Sequence, residues 1–204
     1  MKASTKAEIL FDEAYKLAYS KGNKQDIPWE KIRGLWEESA KLGHARSAFY
    51  LGACYDLGLG IEKNLHTAFD YYLKAANLGH RDSQYNVGFF YHTGELFEKN
   101  ETEKVFWYTK AANSGLIDAQ RDLGYAYFYG EGVEIDYSKA IKLYKKAARQ
   151  NDSKALYNLA LCYKNGHGVV KSLRWTKFYL EKSASLGYRK AKNRLKALNR
   201  DKDD

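Results

Sequence analysis

Proline is almost missing from this chain: Pro28 is the single one in 204 residues, against a usual share of about 5%. Because proline fixes φ and removes a backbone donor, it breaks helices from within. A chain that avoids it favours long helices over loops and linkers. Cysteine is nearly as scarce, with only Cys54 and Cys162, too few for a disulfide-dense secreted scaffold. No apolar run approaches the about 18 residues that would cross a membrane. Glu8, Asp12 and Glu13 interrupt the stretch where a signal peptide would need an apolar core. These absences predict a soluble, cytoplasmic protein.

What is present is periodic. Gly43, Gly79, Gly115 and Gly187 fall on one 36-residue step, with Asn151 in the remaining slot. Gly58, Gly94, Gly130 and Gly166 keep the same step, and Gly22 lies one step before the first of them. So do Tyr55, Tyr91, Tyr127 and Tyr163, one step after Tyr19. Lys74-Ala75-Ala76, Lys110-Ala111-Ala112 and Lys146-Ala147-Ala148 recur in register, followed by a softened copy, Lys182-Ser183-Ala184. Repeats of this length stack helical or other small units into solenoids.

Inside each unit the pattern reads helix, turn, helix. Ser47, Leu51 and Cys54 share one helical face. A Gly-rich turn follows, as in Gly58-Leu59-Gly60, Gly130-Glu131-Gly132 and Gly166-His167-Gly168. Asn64, Asn100, Asp136 and Ser172 then share the slot before the second helix, and each suits an N-cap. The second helix stops at a residue suited to the left-handed conformation, Gly or Asn. Gly52, Gly88 and Gly124 lie inside first helices, where glycine costs about 1 kcal/mol against alanine. Their recurrence predicts close approach of a neighbouring helix, which Ala160 in the fourth copy still permits. The units are 4–43 (degenerate, with Pro28 in the first turn of its second helix), 44–79, 80–115, 116–151 and 152–187. A capping helix over 188–200 sets Ala191, Leu195 and Leu198 against the last unit, and the tail Asp201–Asp204 is expected to fray.

This unit resembles the Sel-one-like repeat (SLR), a relative of the tetratricopeptide repeat. The likeness rests on Leu51-Gly52 and Leu123-Gly124, the Tyr three residues on, the Gly-x-Gly turn and the Lys-Ala-Ala before the closing Gly. It covers 44–187 strongly and 4–43 weakly. Gly94-Glu95-Leu96-Phe97 and Ala160 depart from the pattern. The resemblance implies an all-α, right-handed α-solenoid and a role as adaptor or scaffold for protein complexes.

If first helices line the concave face, as in tetratricopeptide arrays, the groove is predictable. One slot holds Phe49, Tyr85, Arg121 and Tyr157, and the next Tyr50, Asn86, Asp122 and Asn158. Phe89 and Tyr125 share a third, and His92 and Phe128 a fourth that also holds Asp56 and Lys164. Tyr and Phe offer large contact area at low entropic cost, and the same residues also suit packing of unit on unit.

The chemistry of catalysis is thin. Cys54 and Cys162 lie three repeats apart and read as buried free thiols, beyond reach of one another for a disulfide. His44 and His80 share a repeat slot and read as a consensus polar position, not a ligand pair. No H-E-x-x-H, C-x-x-C or phosphate-binding loop occurs. Some SLR proteins have been described as β-lactam hydrolases, but no Ser-x-x-Lys supports that here. No enzyme activity, metal or cofactor is expected.

The formal charge of +9 is unevenly spread: residues 152–204 hold 13 basic and 5 acidic side chains, leaving the rest nearly neutral. Arg189, Lys190, Lys192, Arg194 and Lys196 form a basic end. It reads either as a solvated cap or, less in keeping with the rest of the chain, as a docking patch for an acidic protein, nucleic acid or an anionic membrane surface. Nucleic acid is not the expected partner, since the middle units lack a basic face along the groove. The leading expectation is a non-enzymatic adaptor that holds a protein or peptide in the groove. The alternative is an inhibitor or immunity-type protein that blocks a toxin or enzyme.

Overall fold

A computed structural model describes residues 3–19 and 27–200. Gly22 and the tail from Asp201 lie outside the described residues. Eleven α-helices and no strand occur among the described residues. They fall into two compact units, Met1–Asn100 and Glu101–Asp204.

The first unit holds α1 (Ala3–Ala18), α2 (Trp29–Lys41), α3 (Ala45–Leu57), α4 (Leu65–Asn77) and α5 (Arg81–Thr93). The second holds α6 (Glu101–Asn113), α7 (Ile117–Tyr129), α8 (Tyr137–Arg149), α9 (Ser153–Asn165), α10 (Leu173–Ser185) and α11 (Arg189–Arg200). From α2 to α10 every helix is 13 residues long. That uniformity follows from fixed start and stop signals.

Most starts are side-chain caps, the exceptions including α2 after Pro28 and α7 after Leu116. Asn64, Asp136 and Ser172 accept from the backbone N–H of Thr67, Lys139 and Trp175, as their slot predicts. The stops are left-handed. Gly79 has φ +87°; its N–H donates to the Ala76 carbonyl and the His80 N–H to that of Ala75. This paired closure satisfies carbonyls the helix leaves over. Asn151 makes the same pair of bonds at φ +62°, so the slot demands the conformation and accepts either residue.

The mid-helix glycines admit a ring. A Cβ on Gly52 would lie 2.6 Å from Tyr72, and one on Gly124 would lie 2.8 Å from Tyr144. In the last repeat, Ala160 packs in one cluster with Leu180, which takes the place of the tyrosine. A smaller partner leaves room for the methyl group. The second glycine of the turn has a separate duty. A Cβ on Gly60 would strike Trp29, one on Gly168 would sit 2.7 Å from Tyr137, and one on Gly132 would run into the Glu101 backbone. The turn therefore lies directly on the start of the second helix one repeat earlier. Leu96 departs from this pattern without a positive φ, and Phe97 instead packs edge-on against Phe69.

The core is mostly apolar, with a few buried polar side chains such as Ser47 and Ser83, and holds no disulfide among the described residues. Cys54 and Cys162 are buried free thiols; burial pushes each up to about 11. At the C-terminal end, α11 buries Ala191 and packs Leu195 and Leu198 against Ala160 and Leu180. Arg189, Lys190, Lys192, Arg194 and Lys196 on the same helix are exposed.

Candidate interaction surface

Within each unit, a first helix meets the helix two further on through a pair of positions 31 residues apart. Phe49 packs on the His80 ring at 4.6 Å. Arg121 donates through Nη1 to Asp152 Oδ2 at 3.1 Å, and Tyr157 meets Tyr188 edge-on at 5.3 Å. One geometry thus carries three chemistries. The second position of each pair is the residue before a first helix, and it is often a cap. Asp152 accepts from the Ala155 N–H, and Nδ1 of His44 and His80 accepts from the Ser47 and Ser83 N–H. The consensus polar histidines of the sequence are helix caps, stacked on the preceding repeat. His44 lies 4.7 Å from Phe11.

Burial first, then the charge of Arg46, lowers the pKa of His44. Burial is also the main cause of the lowering at His80, where Asp82 opposes it. With the folded values below the unfolded one, about 6.5, the unfolded chain binds more protons between them. Stability is then full above about pH 6.5 and is lost as pH falls through the depressed folded values. A His44→Asn/His80→Asn variant keeps a cap acceptor without titrating. Its urea midpoint is expected to fall less than wild type's between about pH 7 and about pH 5, the range where histidine changes charge. Equal falls would contradict this role.

The predicted groove residues therefore divide. Arg121 is buried, not exposed, and is held by Asp118, Asp122 and Asp152. Burial alone would lower its pKa, but Asp122, then Asp118 and Asp152, push it upward. Phe49 and Tyr50 are half-buried; Tyr50 stacks on Trp36 at 5.0 Å and touches Phe11, Tyr15 and Tyr19. Burial, reinforced by Tyr19 and Tyr15, pushes its hydroxyl up to about 12. Phe128 lies between Tyr137 and His167, and Tyr157 is half-buried against Tyr188. These side chains are engaged in packing. They cannot face outward as well, because stacking successive repeats consumes that side of the helix.

Of the remaining residues, Phe89, His92 and Tyr125 are exposed, and Tyr85, Asn86, Asp122 and Asn158 are half-buried. In the first unit, Tyr85, Asn86 and Phe89 gather with Phe90, Asp56 and Glu95 around a cleft of 270 Å³. Phe89 is 44% exposed, and Asp56 Oδ2 accepts from the Tyr72 hydroxyl at 3.2 Å. His92 is exposed on the same helix. In the second unit, Tyr125 occupies the repeat slot of Phe89 and is 43% exposed. It pairs with Tyr129 at 4.3 Å. Asn158 borders a small dimple with Phe128, Tyr129 and Leu161. Glu95 and Tyr129 were not among the predicted residues. Tyr129 is legible as the residue four after Tyr125 on one helix face, whereas Glu95 sits in a turn that departs from the repeat.

Beside Tyr125, Lys104 is buried and pairs with Glu101 and, at 2.9 Å, with Glu131. It occupies the slot of Ala68, Ala140 and Thr176, so this ion triad belongs to one repeat alone. No group of three potential metal ligands occurs among the described residues. No described helix is long and apolar enough to cross a membrane.

The Sel1 repeat family model matches residues 45–80, 81–116, 117–152 and 153–188. The chain belongs to the Sel1 repeat family. Its matched repeats begin one residue later than the division read from the glycines, and the match starts after α2. No curated protein matches the sequence. Among solved structures, c5321 of uropathogenic Escherichia coli, a protective antigen with an SLR fold, is 29% identical with a TM-score of 0.85. The alignment covers 95% of this chain but only 41% of that one. A Sel1 repeat protein from Oxalobacter formigenes is 28% identical with a TM-score of 0.80, covering 94% of this chain and 76% of that one. The immunity protein PA5088 from Pseudomonas aeruginosa, 24% identical with a TM-score of 0.54 over 91% of this chain and 67% of that one, shares the fold. The fold of this Sel1 chain is thus an all-α solenoid, and Sel1 repeat proteins in general are protein-interaction scaffolds.

Proposed function

We propose that this chain is a non-enzymatic adaptor that binds a protein segment on the exposed face of its first helices. The observation that carries the reading is the exposure of Phe89 and Tyr125, two aromatic side chains in one repeat slot that stacking does not consume. Aromatic side chains of this kind are typical anchors of protein interfaces. In the first unit the anchor borders a cleft with two carboxylates, Asp56 and Glu95, and no basic residue in its lining. That suits a segment bearing an apolar side chain next to a lysine, an arginine or a free amide. In the second unit Tyr125 and Tyr129 supply the contact area, and the Lys104 triad braces the adjoining turn.

The test is quantitative capture of a partner by wild type and by the Tyr85→Ala/Phe89→Ala/Tyr125→Ala variant. Capture is expected to weaken about tenfold or more, the scale of losing hot-spot aromatics, with helical circular dichroism unchanged. Undiminished capture would overturn the assignment of this face.

A further inference from the structure

The second unit has another cleft, on the side of its second helices. It opens between α8 and α10, above α9, and holds 350 Å³. Leu156, Leu159 and Ala148, all buried, form its apolar floor. Phe178, 47% exposed, and Tyr179 form one wall, and Lys145, Arg149 and Lys182 stand around it. No carboxylate lines the cleft. Among the described residues none of these three cations has an ion pair or an aromatic partner.

Lys182 occupies the recurring lysine slot of the repeat, whereas the other two charges are features of this unit. Lys145 and Arg149 replace Leu73 and Thr109, and Asn77 and Asn113, in the two preceding repeats. Helix α8 carries Lys139, Lys142, Lys145, Lys146 and Arg149 with no Asp or Glu. The near-neutral sum of its repeat hides this, because the acidic residues lie on α7 and in the turn. Unpaired like charges at close range repel one another, so an occupant carrying carboxylates would relieve that repulsion.

The floor and wall select the kind of anion. Its aliphatic floor accepts an apolar side chain. Single-stranded nucleic acid would need exposed aromatic faces on which bases stack. Phe178 instead stands at 77° to Tyr179 and 89° to Trp175, which leaves no parallel platform. We propose that the α8–α10 cleft docks an acidic protein segment, which inserts one apolar side chain between carboxylates held by Lys145, Arg149 and Lys182. This site is independent of the first-helix face.

The probe is a fluorescent peptide of glutamates flanking a central leucine, titrated against the full chain by anisotropy at about 0.15 M salt. Saturable binding is expected, weakened about tenfold by Lys145→Glu/Arg149→Glu and several-fold by Phe178→Ala. Replacing the peptide's leucine with serine should weaken it likewise. The variant Lys190→Glu/Lys192→Glu changes net charge equally but lies on α11, outside the cleft lining, and should weaken binding clearly less than Lys145→Glu/Arg149→Glu at a salt concentration where the Debye length is about 8 Å. Equal losses from the two charge reversals would reduce the effect to general electrostatics and overturn the proposal. Absence of saturable binding to wild type would overturn it too, as would competition by oligo-dT of the same charge as effective as that of the unlabelled peptide. Circular dichroism of each variant separates loss of binding from loss of folding.

Discussion

Gly132→Ala is expected to destabilise the second unit by about 3–4 kcal/mol, far more than the same change at Gly115. Two costs combine at Gly132. Its φ of +70° charges an L-residue about 1–2 kcal/mol for the left-handed conformation. The new methyl would also run into the carbonyl of Glu101, and backbone at the start of α6 cannot swing aside as a side-chain tip could. Relieving such overpacking costs about 1–3 kcal/mol more. Gly115 has φ +85° with open space around the would-be Cβ, so only the conformational cost remains. Asparagine should lower that cost further at this position, since Asn151 already occupies the equivalent slot. Urea denaturation of the three variants, followed by circular dichroism, separates the effects. Equal losses for Gly132→Ala and Gly115→Ala would show that the turn does not bear on the preceding repeat.

Arg121→Ala should cost about 3 kcal/mol, the low end of the range for breaking a buried charge pair. Its side chain is 11% exposed and that of Asp152 is 13% exposed, so removing the guanidinium strands a carboxylate with little water. Asp118, 56% exposed, contributes little because solvent screens it. Asp152 also caps α9, and the loss therefore reaches the next helix. The pairing at Phe49 and His80 supplies a rescue: Arg121→Phe with Asp152→His installs a junction that the fold already uses. The double variant is expected to recover about half of what Arg121→Ala loses, since contacting residues couple by about 0.5–3 kcal/mol. If the double variant is no more stable than Arg121→Phe alone, the two positions do not form a transferable junction.

The periodicity of the sequence exposed the helices and their boundaries because starts and stops are local chemistry. A capping Asn, Asp or Ser and a left-handed Gly or Asn act within a few residues of themselves. Gly52 and Gly124 were legible as close-approach sites, although the ring that fills each space lies 20 residues away. Less of the interaction surface could be read. Phe49, Arg121 and Tyr157 share a slot with Tyr85, and periodicity alone assigns all four the same direction. What makes Phe49, Arg121 and Tyr157 packing residues is the partner 31 residues on, and complementarity at that distance has no local signature. Two clues were nonetheless present, the pairing of Arg121 with Asp152 and that of Phe49 with His80. Histidine is a weak cap signal in a sequence, because its ring nitrogen serves that purpose less often than a carboxylate or hydroxyl. The basic face of α8 is offset in the net charge by the acids of α7 and of the turn in the same repeat.

The measurement that tests the binding account most directly is photo-crosslinking from chosen positions. Benzoylphenylalanine is placed at position 89, at position 125, or at position 106 on the second-helix side, where Phe106 is also exposed. All three replace exposed aromatic side chains, so folding should survive each change. The account predicts protein adducts from positions 89 and 125 and none above background from position 106. Adducts from position 106 with none from 89 or 125 would contradict it.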